Sequence, residues 1–87
     1  MLPSCRATHH NGTATSTPEK VSTVRGRGMR LVMTNHEAIG GNMLEVSFDA
    51  GKTYFSIPPQ TMFREPITFH EFYVKGSGAY SALLFEA

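Results

Sequence analysis

Between residues 44 and 57 the chain alternates, turns and alternates again. Leu44, Val46 and Phe48 fall on one side with Glu45 and Ser47 on the other; Asp49-Ala50-Gly51-Lys52 follows, and then Phe55 and Ile57 lie opposite Tyr54 and Ser56. A period of two is what a strand with one buried face requires, and a helix would scatter the same apolar side chains around its surface. Asp can bond its own backbone and Gly takes a positive φ without steric cost, so the four residues between the strands read as a tight turn. The segment predicts a β-hairpin whose turn is set by Asp49, Gly51 and Thr53, and anything that packs on it must present a compatible sheet or helix.

No helix is needed to complete the chain. Residues 29–34 are short and mostly apolar, and Gly40-Gly41 lies in the loop that ends them. Pro58-Pro59 stops the hairpin's second strand, and residues 61–66 read as irregular or edge structure because Pro66 cannot donate to a ladder. Residues 68–75 carry the aromatic and β-branched bulk of a strand in Phe69, Phe72, Tyr73 and Val74. After the turn Gly76-Ser77-Gly78-Ala79, residues 80–86 run almost without interruption through Ala82-Leu83-Leu84-Phe85. Such a run predicts burial on both faces, or one face on the core and the other on a neighbouring subunit. The expected fold is all-β, a small antiparallel β-sandwich or barrel of four to six short strands. Its expected core is Leu31, Met33, Leu44, Val46, Phe48, Phe55, Ile57, Phe72, Val74, Leu83 and Phe85, and Tyr54, Tyr73 and Tyr80 are left as surface aromatics.

The N-terminal part has a different composition. Residues 1–24 are rich in Thr, Ser, Pro, Gly and His, and Leu2, Val21 and Val24 are their only aliphatic residues apart from alanine. A segment like that buries too little apolar surface to offset its ordering entropy. Residues 1–28 are therefore expected to form a flexible extended arm, with residues 29–87 as the compact β domain. Arg25-Gly26-Arg27-Gly28 ends the arm with two positive charges on a pliable backbone. Arg25 and Arg27, with Val21 and Val24, are the residues expected to dock on a partner.

A domain of about 60 residues buries only about 60% of the surface its unfolded chain exposes. Disulfides cannot supplement so small a core within one chain, because Cys5 is the only cysteine. Association with further copies or with a host surface is the expected supplement, as a homo-oligomer with a trimer favoured. Lys and Arg number eight against seven Asp and Glu, so no broad basic surface for nucleic acid is expected. No apolar run approaches the roughly 18 residues of a membrane span, and residues 1–13 contain no hydrophobic segment that could act as a secretory signal, so synthesis in a reducing cytoplasm is expected.

Chemistry-bearing motifs fare poorly. Gly51-Lys52-Thr53 looks like the end of a phosphate-binding loop, but Val46 stands where that loop needs a glycine. His9-His10, His36 and His70 lack the Cys or carboxylate partners of a metal site, and Glu45, Glu65, Glu71 and Glu86 are spaced as solvent-facing residues. No metal, cofactor or catalytic constellation is expected, and the chain reads as a non-enzyme.

The octad Ser47-Phe48-Asp49-Ala50-Gly51-Lys52-Thr53-Tyr54 resembles an Asp-box, the hairpin found in sialidase propellers and other carbohydrate-active β proteins, with Tyr54 in place of the usual Trp. The resemblance implies a stable turn in which the Asp and Thr side chains bond backbone groups. It also keeps a carbohydrate-binding module in view. Over residues 29–87, the same stretch followed by Ile57-Pro58-Pro59, together with Val74-Lys75-Gly76-Ser77-Gly78-Ala79-Tyr80, resembles the small β-sandwich virion proteins of tailed bacteriophages. In these a strand carrying VxFDGGxTY precedes an Ile-Pro stop, and a VKGSG-(A/T)-Y turn leads into the closing strand; Ala50 here replaces a glycine. The resemblance implies a virion structural role made in the host cytoplasm, a capsid decoration (cement) protein first, with a neck (head-tail connector), portal-associated or tail accessory protein as the alternative. Capsid or other virion proteins are the partners it implies.

Overall fold

The computed structural model describes residues 6–87. Among the described residues eight antiparallel strands form two four-stranded sheets packed as an open sandwich. They are β1 (Arg6–Ala14), β2 (Glu19–Ser22), β3 (Gly28–Asn35), β4 (Leu44–Ser47), β5 (Phe55–Ile57), β6 (Met62–Glu65), β7 (Glu71–Lys75) and β8 (Gly78–Glu86). One sheet has the order β1-β8-β3-β6 and the other β2-β7-β4-β5. The all-β sandwich expected from alternation is present, built from eight strands rather than four to six.

The core lies between the sheets. Leu31 and Met33 face inward from β3, Leu44 and Val46 from β4, Ile57 from β5, and Phe72 and Val74 from β7, each at most 2% exposed. The alternation read from residues 44–57 is the observed register, with Leu44 opposite Ile57 and Val46 opposite Phe55. Phe48 lies past the end of β4 and is 38% exposed; it stacks on Phe55 and borders Phe63, Phe69 and Phe72, closing one end of the core with aromatic rings.

The N-terminal residues correct the expected arm. From Arg6 to Ala14 every residue of β1 is paired with β8, and β2 pairs with β7. The inward residues of β1 are Thr8, His10, Gly12 and Ala14, of which only Ala14 is fully buried. The ladder of backbone hydrogen bonds, rather than apolar burial, offsets the cost of ordering this strand, and so composition gave no sign of it. Val21, expected as a docking residue, is 5% exposed and belongs to the core. The chain has no boundary at 28/29, since Gly28 opens β3. Residues 1–5, including Cys5, lie outside the described residues.

The register of β8 is the second correction. Its buried residues are Tyr80, Ala82, Leu84 and Glu86, while Leu83 and Phe85 turn to the outer face, half-buried among the side chains of neighbouring strands. The run Ala82-Leu83-Leu84-Phe85 contains no polar residue to set its phase. Tyr80 and Glu86 set it, because each finds its hydrogen-bonding partners only on the inner side.

Candidate functional site

Three constructions hold the residues singled out by sequence. The hairpin turn comes first. The Ser47 hydroxyl donates to Asp49 Oδ1 at 2.6 Å and accepts the Gly51 N–H at 2.9 Å. Asp49 in turn accepts the Thr53 N–H at 2.9 Å and the Thr53 hydroxyl at 2.5 Å. The Ser47 hydroxyl, then the Thr53 hydroxyl and N–H, hold the Asp49 carboxyl far below the usual carboxylate range. Ala50 and Gly51 both have positive φ, 61° and 85°, as in a type I′ turn. The side-chain oxygens of Ser47, Asp49 and Thr53 are all engaged in fixing the turn's own backbone.

The tyrosines divide. Tyr54 and Tyr73 are half-buried, and Tyr73 stands on the outer face of the β2-β7-β4-β5 sheet beside Ser47. The Lys75 ammonium covers the Tyr54 ring at 4.3 Å and lies 3.8 Å from Glu45 Oε2. Tyr80 is not a surface residue, being 1% exposed. Its hydroxyl donates to Glu19 Oε1 at 2.9 Å and meets His10 Nε2 at 3.0 Å, tying β1 to β2 across the sandwich. Burial, and then the Glu19 carboxylate beside it, push this phenol well above its ordinary range. A side chain at position 12 would meet the Tyr80 hydroxyl at 2.9 Å, so Gly12 is what lets the ring lie beneath β1.

The third construction is the loop between β2 and β3. Glu86, expected as solvent-facing, is 1% exposed, and its Oε1 accepts the backbone N–H groups of Val24, Arg25 and Gly26 at 2.9, 2.6 and 3.1 Å. Three successive amides on one oxygen form an anion-binding nest filled by the chain's own carboxylate. Burial opposes the charge on Glu86, but the Thr8 hydroxyl and these three amides outweigh it and hold the carboxyl below its ordinary range. The loop is fixed at both ends, by the Thr23 N–H on the His70 carbonyl and the Ala87 N–H on the Arg27 carbonyl, each at 2.9 Å.

The expected pliable hinge at 25–28 is therefore a clamped loop. A Cβ on Gly28 would fall 2.4 Å from the Phe69 ring, so this glycine serves close packing. Val24 is 74% exposed, and Arg25 and Arg27 are also exposed. Strand register brings Arg6 opposite Glu86 and Arg30 opposite Phe85, so four of the eight Lys and Arg residues gather at this end of the sandwich. Among the described residues none of these four arginines is in an ion pair. Glu86 was missed because its partners are 60 to 62 positions away in sequence.

Elsewhere a surface hollow of about 480 Å³ is lined by Ser16, Asn42, Met43, Glu45, Lys75, Gly76 and Ser77, and the Ser77 hydroxyl donates to Glu37 Oε1 at 3.0 Å. Among the described residues no group of three or more His, Cys, Asp or Glu side chains is placed to hold a metal. No family model, curated protein or solved structure matches the chain.

Proposed function

We propose that this chain is a non-catalytic structural protein of a tailed-phage virion, a capsid decoration (cement) module that docks through the clamped 24–27 loop. The observation that carries the reading is the display of Val24, Arg25 and Arg27 on a backbone held by a buried carboxylate. A loop already ordered before binding avoids the entropic cost that a free arm would bring to the interface. Unpaired guanidinium groups suit bidentate contact with carboxylates, so the counterpart is an acidic protein surface. The groups with the most altered titration, Asp49, Tyr80 and Glu86, are all engaged in internal hydrogen bonds, which fits a scaffold better than a reaction centre. The sequence resemblance over residues 29–87 supplies the virion context.

Quantitative mass spectrometry of gradient-purified virions made from the genome that encodes the chain tests this reading. A copy number comparable with that of the capsid subunit supports decoration, and a few copies per particle moves the assignment to the neck or tail. Absence of the chain from intact particles overturns both.

A further inference from the structure

A sandwich of two open sheets has four edge strands, and three of these are guarded. β2 has four residues, carries Glu19 and Lys20, and follows Pro18. β5 has three residues and runs into Pro58-Pro59. β6 has four residues, carries Arg64 and Glu65, and is followed by Pro66. Short length, charge and proline are the means by which edges are kept from pairing with other chains. β1 is long, lacks proline and is charged only at its first residue, Arg6. It runs for nine residues, pairs with β8 without a register break and contains no lysine. Among the described residues nothing pairs with its outer side.

We infer that β1 is a self-association edge, on which a second copy of this chain adds its own β1 antiparallel to form a continuous eight-stranded sheet. The sequence of β1 is self-complementary in this direction. A two-fold axis at His10 sets Arg6 opposite Ala14 of the copy, Ala7 opposite Thr13 and His9 opposite Asn11, so the only charges stand at opposite ends. Parallel pairing in register would place the two arginines together. An isologous contact of this kind closes at two subunits, in place of the trimer expected from size alone. The contact is argued from the β1 edge and not from docking by the 24–27 loop, so it stands or falls separately from the virion reading.

His9 and Asn11 are exposed, lie on the outer face, and come face to face only across the axis. Sedimentation velocity on the full chain over micromolar to millimolar concentrations is expected to show the mass rising to twice that of one chain. His9→Lys/Asn11→Lys sets lysines opposite lysines and weakens the dimer roughly tenfold, with an unchanged melting temperature at concentrations where both proteins are monomeric. His9→Lys/Asn11→Glu sets each lysine opposite a glutamate and restores association to at least the wild-type level. A mass that stays at one chain throughout overturns the proposal, and so do two double variants that behave alike. A monomer that is nevertheless found in virions would overturn this proposal alone.

Discussion

Glu86 Oε1 and the Arg25 amide are 2.6 Å apart, so the buried carboxylate of the last strand holds the backbone that displays the exposed arginines. Hydrogen bonds to a charged group are each worth about 1.5–3 kcal/mol, and the oxygen serves three amides. Glu86→Gln keeps the shape and removes the charge. It is expected to cost about 2 kcal/mol in urea unfolding. The amides of residues 24–26 should then exchange with solvent much faster than those of β7. Equal exchange of these amides in the unaltered chain and in Glu86→Gln would mean that the loop is held by something other than this carboxylate.

Acid should expose the same dependence. The carboxyls of Asp49 and Glu86 are both held below their ordinary range in the folded chain. A depressed carboxyl contributes stability that is fully present above its unfolded value, about 4, and is lost as pH falls from there through the folded value. The melting temperature is therefore expected to be flat from pH 7 to about 5 and to fall steeply below about 4. Asp49→Asn should start lower at pH 7 and fall less steeply in acid. Parallel curves for the two proteins would show that Asp49 has no part in the acid transition.

Ala50 sits at φ 61°, a left-handed conformation that costs an L-residue roughly 1–2 kcal/mol. Ala50→Gly releases that strain but gives up about 0.5–1 kcal/mol through the greater freedom of glycine in the unfolded chain. The net expectation is a gain of about 0.5 kcal/mol, read from the urea midpoint at unchanged slope. A loss of stability would mean that the five hydrogen bonds around Asp49 and Ser47 already absorb the strain.

What could be read from the sequence was whatever is decided within a few residues. The Asp49 turn was legible because its donors and acceptors lie within four positions of one another, and Leu44, Val46 and Ile57 because alternation is local. β1 was not legible. Its inward face is Thr8, His10, Gly12 and Ala14, and its stability comes from main-chain pairing with a strand some 70 residues later, which leaves no apolar period to detect. Of the residues expected to dock, Arg25, Arg27 and Val24 are exposed, on a loop held by Glu86, which by spacing reads as an ordinary solvent-facing glutamate. Val21, two positions from the loop's first residue, faces inward opposite Phe72 because β2 is a strand and not an arm.

The phase of β8 is the point where sequence and structure disagree most simply, and two neighbouring leucines test it. Leu84 is 1% exposed and packs between the sheets, whereas Leu83 lies on the outer face between His9 and Val32. Truncating a fully buried leucine leaves a cavity and costs about 2–5 kcal/mol. At a half-covered site the surroundings can collapse or hydrate, and the loss should stay near 1 kcal/mol. Leu84→Ala is therefore expected to melt far below Leu83→Ala in the same buffer at low concentration. The opposite order would shift β8 by one residue, bring Tyr80 and Glu86 to the outer face, and remove the carboxylate that holds the arginine loop.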